Sequence, residues 1–143
     1  MAGEILVGYD GGHGSDKALG EAADLARDLD ATVVLAFAYE PVHMAGIYGE
    51  KSDQRRAIKE LAEERLAEGL EKAKAAGVKA EAHLVDARPA EGLAAAAKER
   101  DARMVVIGSQ GGPLPVVGHI IGSVAHKLVQ ISEVPVLVIH TTD

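Results

Sequence analysis

Two glycine-rich stretches hold the residues of this sequence best suited to chemistry. The longer reads Gly108-Ser109-Gln110-Gly111-Gly112-Pro113-Leu114-Pro115-Val116-Val117-Gly118-His119-Ile120-Ile121-Gly122-Ser123. Glycine lets a backbone approach an anion closely and take positive φ. Gly122-Ser123 opens a helical pattern, and the free N–H groups and dipole of a helix start favour phosphate. The Ser123 hydroxyl can add a contact to a phosphate or to its metal. The segment is therefore expected to wrap the phosphates of a nucleotide. The shorter stretch, Asp10-Gly11-Gly12-His13-Gly14, has the same character. Taken alone, each also reads as a turn, with Asp10 an Asx residue before Gly11 and Ser123 an N-cap.

Other chemistries find less support. The six histidines, His13, His43, His83, His119, His126 and His140, form no i, i+4 pair and no His-Glu-x-x-His, so no metal site is expected from the protein alone. His13 and His119 lie in the glycine stretches and could touch a ligand, although surface positions suit both. Ser109 is not in a nucleophile elbow, because Ile107 stands where the first glycine belongs. There are no cysteines, which excludes disulfides and thiolate metal sites. No catalytic residue is assigned.

The elements that must position the glycine stretches follow from periodicity. Ile5 to Tyr9, Thr32 to Ala38, Val78 to Val85, Arg103 to Ile107 and Val134 to His140 read as strands. Between them lie helical patterns. The first has Ser15 as N-cap and Ala18, Leu19, Ala22, Leu25, Ala26 and Leu29 on one face. The second places Ile58, Leu61, Ala62, Leu66, Leu70 and Ala73 on one face, with Gly77 as C-cap. The third runs from Pro89 to about Arg100, and the fourth from Ser123 to Gln130. Glu40 to Lys51 reads as a loop. This alternation predicts one α/β domain spanning 1–143, an open, mainly parallel five-stranded sheet with helices on both faces. Ligands of such sheets bind beyond the carboxyl ends of the strands, where strand order reverses. If strands one and four are neighbours, both glycine stretches border one crevice.

Composition bounds the partners. Net charge is −7 and pI about 5.3, which argues against nucleic acid, since phosphate backbones need a clustered basic surface. A single nucleotide remains open, because backbone N–H groups alone can hold it. No apolar run approaches the roughly 20 residues needed to span a bilayer, and the Met1-Ala2-Gly3-Glu4 start resembles no signal peptide, so a soluble cytoplasmic protein is expected. The charged helix Arg55, Arg56, Lys59, Glu60, Glu63, Glu64, Arg65, Glu68 reads as a solvated face. The last strand is expected at a sheet edge, where exposed backbone invites strand pairing.

At these residues the sequence resembles the universal stress protein family over nearly its whole length. Ile5-Leu6-Val7-Gly8-Tyr9-Asp10-Gly11 is similar to the family's opening strand and acidic residue. Val34 to Pro41 resembles its second strand, Ala87-Arg88-Pro89-Ala90-Glu91 the turn into its third helix, and Met104 to Gly111 its fourth strand and first phosphate loop. Gly118 to Val129 and Val134 to Ile139 resemble the closing helix and strand. The ATP-binding branch carries Gly, two residues, Gly, nine residues, then Gly-Ser or Gly-Thr. Gly108, Gly111 and Gly122-Ser123 match its ends. The spacer from Gly112 to Ile121 has ten residues, and Pro113 to Val117 is apolar where the family is usually polar or basic.

The resemblance implies a Rossmann-type, adenine nucleotide alpha hydrolase-like fold and a site for ATP, or for ADP or AMP, with Mg or Mn as a possible companion. It implies that Gly8 and Asp10 lie near the adenosine and that Ala38 offers its backbone to the adenine edge. Gly108, Ser109, Gln110, Gly111 and Gly112 would wrap ribose and phosphates, and Gly122, Ser123 and Val124 would cap the phosphates. It also implies a homodimer through the last strand. The function expected is a regulatory, stress-response binding protein, at most a slow ATPase. Two alternatives stand beside it. One is a dimeric stress protein with a degenerate loop that binds no nucleotide. The other is an adenylating enzyme of the ATP pyrophosphatase type, which Asp10 to Asp16 faintly resembles.

Overall fold

The computed structural model describes residues 3–40, 51–109 and 122–141. Along the chain these form β1 (Glu4–Gly8), α1 (His13–Leu29), β2 (Thr32–Tyr39), α2 (Lys51–Ala75), β3 (Ala80–Asp86), α3 (Pro89–Glu99), β4 (Met104–Gly108), α4 (Ser123–Ile131) and β5 (Val136–Ile139). The strands make one sheet in the order β3-β2-β1-β4-β5. Every neighbouring pair is parallel. Strands one and four are therefore neighbours, as the crevice requires.

The central strands are apolar throughout because both their faces are covered. Side chains alternate along a strand. Ile5, Val7 and Tyr9 pack with α1 and with Leu66 and Ala73 of α2. Leu6 faces the other way, among Leu93, Ala96 and Ala97 of α3 and Ala125 and Leu128 of α4. Ile5, Leu6 and Val7 are all fully buried. Each such side chain contributes about 1.5–3 kcal/mol relative to exposure. β5 is an edge strand, and Pro135 precedes it where no ladder hydrogen bond is lost.

Helix boundaries differ from expectation at one end that matters. α1 starts at His13 with Gly12 as N-cap, not after Ser15. Ser15 lies inside the first turn, with its hydroxyl turned back toward the Gly12 carbonyl (3.0 Å) and the Asp10 carboxylate (2.9 Å). The α2 C-terminus follows the expectation. Gly77 is left-handed at φ 79°, and Gly77 N–H and Val78 N–H donate to the Lys74 and Ala73 carbonyls, which closes the helix in a Schellman turn.

The buried face of α2 follows the expectation except at Leu61; Ile58 and Leu70 are half-buried. Ala62, Leu66 and Ala73 are buried, whereas Leu61 is 48% exposed. Gly69 lies on this buried face. A Cβ there would lie 2.5 Å from Leu35 Cδ2 and 2.7 Å from Tyr9 Cε2, so α2 meets the sheet through a residue that no hydrophobic pattern marks.

Candidate functional site

The crevice begins where β1 and β4 end. β1 feeds α1 on one face and β4 feeds α4 on the other, so the chain parts to both sides of the sheet between them. Gly108 closes β4 against the start of α1. An ideal Cβ on it would sit 2.9 Å from the Gly14 carbonyl oxygen and 3.0 Å from Thr141 Cγ2. That close backbone approach requires glycine.

Ser109 joins three elements. Its N–H donates to the Ile139 carbonyl of β5 at 2.7 Å, and its own carbonyl accepts from Gly122 N–H at the start of α4. Its hydroxyl is buried, accepts from Thr141 N–H at 3.1 Å and lies 3.3 Å from the Thr141 hydroxyl. The two ends of the glycine segment thus meet, although twelve positions separate Ser109 from Gly122 in the sequence. The Ser109 side chain is committed to the protein interior.

Two helix starts flank the crevice. Both α1 and α4 have glycine N-caps, Gly12 and Gly122, with no side-chain cap hydrogen bond. The first intrahelical bonds are Asp16 N–H to Gly12 and His126 N–H to Gly122. The N–H groups of His13, Gly14 and Ser15, and those of Ser123, Val124 and Ala125, therefore have no intrahelical acceptor. Ser123 is exposed and Val124 half-buried. This places a serine hydroxyl and two dipole ends on one side of the molecule.

The β1–α1 loop is held by its own side chains. Asp10 Oδ1 accepts from Gly12 N–H at 2.8 Å and lies 2.9 Å from the Ser15 hydroxyl, while Asp10 N–H donates to Ser15 Oγ at 3.3 Å. This is an Asx turn, and Gly11 in it is left-handed at φ 84°. Beside it the buried Tyr9 hydroxyl donates to Asp16 Oδ1 at 2.6 Å, and Lys72 of α2 reaches Asp16 Oδ2 at 2.9 Å. Burial first, then the bond to Asp16, pushes the Tyr9 phenol well above its ordinary pKa. Arg65, also of α2, lays its stem over Gly11, where a Cβ would come 2.7 Å from Arg65 Cδ.

The side of the crevice away from α4 is shaped by β1 and β2. A Cβ on Gly8 would lie 3.0 Å from Leu93 Cδ1, so Gly8 lets α3 approach. Ala36 C=O accepts from Tyr9 N–H and Tyr39 C=O accepts from Ala87 N–H, both at 2.9 Å. Backbone groups alternate sides along a strand, so Ala38 turns its N–H and C=O toward β1, beyond Gly8, where β1 ends. That edge presents a donor and an acceptor to the crevice. Gln110, Gly111 and Gly112, and the apolar stretch Pro113 to Val117, lie outside the described residues.

The universal stress protein family model matches residues 1–140. The chain belongs to the universal stress protein family. Universal stress protein YxiE of Bacillus subtilis is 33% identical, over 97% of this chain and 99% of its own. A universal stress protein of Thermus aquaticus is also 33% identical, over 94% and 96%. Among solved structures, a universal stress protein in complex with cAMP is 30% identical, covers 98% of both chains and superposes with a TM-score of 0.72. The Archaeoglobus fulgidus universal stress protein in complex with dAMP shares the fold at 21% identity and TM-score 0.72, over 96% of this chain and 97% of its own.

Of the residues singled out from sequence, the structure gathers Gly8, Asp10, Gly108, Ser109, Gly122, Ser123 and Val124 at one end of β1 and β4, with Ala38 one strand away. Sequence reasoning gave no site role to Ser15, Thr141 and Arg65. Thr141 and Arg65 leave no pattern, since their contacts are 32 and 54 positions away along the chain. Ser15 could have been found, because Asp-x-x-x-x-Ser beside a glycine turn lets one hydroxyl serve the turn's carboxylate. Among the described residues, no three His, Asp or Glu group as metal ligands, and no helix is long and apolar enough to cross a membrane.

Proposed function

We propose that this universal stress protein is a regulatory protein that binds an adenine nucleotide, ATP, ADP or AMP, in the crevice between β1 and β4. The observation that carries this reading is the Gly122 N–H to Ser109 carbonyl bond. It sets the open start of α4 at the end of β4, next to the Asp10 loop and the start of α1. The base would lie against the backbone of Ala38 and near Gly8 and Asp10. The phosphates would lie on Gly108 to Gly112 and on Gly122, Ser123 and Val124. A 30% identical relative solved with cAMP supports the ligand class. The protein would act through its bound state, in the cytoplasm, and be at most a slow ATPase.

The same reading includes a homodimer paired through β5. Leu137 on β5 and Val129 and Ile131 on α4 are large apolar side chains left 38–46% exposed, and a second copy would cover them while pairing the free edge. A second reading is favoured by one specific observation. Gly108 and the Ser109 hydroxyl are both explained by packing on Gly14 and Thr141, as in a dimeric stress protein whose loop binds nothing. Calorimetric titration with adenine nucleotides, together with mass spectrometry of whatever leaves the purified protein on denaturation, decides between them. Binding that is weakened in a folded Gly122→Ala variant supports the nucleotide. No binding up to millimolar concentration supports the loop as structure only.

A further inference from the structure

We propose that Ser15 is a positioning residue for ribose recognition. Its hydroxyl holds the Asp10 carboxylate so that the outer oxygen accepts from the ribose hydroxyls of the nucleotide, and the crevice thereby favours nucleotides that carry those hydroxyls. This rests on the nucleotide reading above.

Strand order decides which part of a nucleotide lies over Asp10. In that reading the base takes the backbone donor and acceptor of Ala38 on β2, and the phosphates lie at the end of β4. β1 runs between those two strands and is hydrogen-bonded to both, with neighbouring strands roughly 4.8 Å apart. Ribose joins base to phosphate, so it lies over the end of β1. Tyr9 N–H still donates to Ala36 of β2, whereas Asp10 N–H has turned to Ser15 Oγ. Asp10 is therefore the first residue past the ladder, and it is exposed. A carboxylate only accepts, and the donors on ribose are its hydroxyls.

Ser15 grips Asp10 twice, by backbone and by side chain. Its oxygen accepts from Asp10 N–H at 3.3 Å, and its hydroxyl lies 2.9 Å from Asp10 Oδ1. Gly12 N–H donates to the same Oδ1 at 2.8 Å. Oδ2 takes part in neither bond to the carboxylate. Ser15 is itself buried, 8% exposed. It follows Gly14, whose carbonyl oxygen lies against Gly108 of β4. The Asp10 carboxylate is thus oriented from α1 and β4 as well as from its own strand. Arg65, the cation laid over Gly11, turns its guanidinium to Glu68 at 3.8 Å. Without the Ser15 hydroxyl, Gly12 N–H alone would hold the carboxylate, whose terminal torsion is broad, and ordering it would oppose ribose binding.

Calorimetric titration of the intact protein with AMP and with 2′,3′-dideoxy-AMP, which lacks both hydroxyls, tests this. The parent is expected to bind AMP at least about tenfold more tightly, as for a hydrogen bond to a charged group. In Ser15→Ala, folded by circular dichroism, that preference should fall at least about threefold, while affinity for the dideoxynucleotide changes by less than about twofold. Ser15→Thr keeps the hydroxyl and should keep the parent preference. If Ser15→Ala does not fold, Ser15→Cys, close in size but only a weak donor, takes its place with the same expectation. A variant that weakens both nucleotides alike would show Ser15 to be structural only and overturn the proposal. A parent that binds both nucleotides alike would overturn it too, while the nucleotide site stands. If neither nucleotide binds the parent, the underlying reading fails and this inference with it.

Discussion

Replacing Gly108 by alanine tests whether the crevice depends on the contact between β4 and the start of α1. The new methyl would lie 2.9 Å from the Gly14 carbonyl oxygen, 3.1 Å from the Gly14 carbonyl carbon and 3.0 Å from Thr141 Cγ2. Two of these atoms are backbone and cannot rotate away, so α1 or β4 must shift. Overpacking of this kind costs about 1–3 kcal/mol, while removing a glycine from the unfolded chain returns about 0.4–1 kcal/mol. The net loss is about 1–2 kcal/mol, a fall in Tm of roughly 3–10 °C for a chain of this size. Urea and thermal unfolding measure it. Gly20→Ala is the matched control. It sits in the middle of α1 with nothing within 4 Å of its Cβ, so helix propensity alone should stabilise it by up to about 1 kcal/mol. Nucleotide affinity of Gly108→Ala, measured well below its Tm, should also fall, because the shift parts the two helix starts. A Gly108→Ala protein as stable as the parent would refute the claim that Gly14 dictates glycine at this position.

Ser109→Ala removes the acceptor of the buried Thr141 N–H and should cost about 1–3 kcal/mol in urea unfolding. A smaller effect would mean the hydroxyl does not tie β4 to the end of β5. Tyr9→Phe removes the bond to Asp16 and should cost about 1.5–3 kcal/mol, as for hydrogen bonds to charged groups. The raised pKa of Tyr9 makes its contribution pH-dependent. It is fully present below the ordinary phenol value of about 10 and is lost as pH rises through the higher folded value. Parent stability should therefore decline above about pH 10, and the decline should be shallower in Tyr9→Phe, read by urea midpoints across that range. Leu137→Glu places a charge on the exposed face of the β5 edge. It should convert a dimer to monomer in sedimentation with the monomer fold intact by circular dichroism, and an unchanged dimer would move the interface elsewhere.

Much of the fold could be read directly. Ile5-Leu6-Val7, Val33-Val34-Leu35 and Met104-Val105-Val106-Ile107 are continuous apolar runs because both faces of a central parallel strand are covered. Gly77 was legible as a helix end because few other residues take a left-handed turn at low cost. The α2 face was legible too, except at two positions. Leu61 fits the periodicity but is exposed, and Gly69, which carries no hydrophobic signal, is where the helix touches Tyr9 and Leu35. Asp10 carried both of its readings from the start. The Asx turn with Gly12 and Ser15 is the part that the structure makes visible.

The local pattern of residue types, by itself, determined the element order, the parallel sheet, the edge position of the last strand and the two glycine stretches at strand ends. These follow from nearest-neighbour chemistry: alternation, capping and the conformations open to glycine. It also settled that no Lys or Arg lies between Arg103 and Lys127. Only the tertiary structure decided that Ser109 meets Gly122, that Gly108 is glycine because Gly14 passes within contact, and that from α2 Arg65 reaches the first loop and Lys72 the first turn of α1. Those contacts join residues far apart in the chain, and their geometry depends on how helices settle on the sheet. That is fixed by packing summed over the whole core, which no local run of residues encodes.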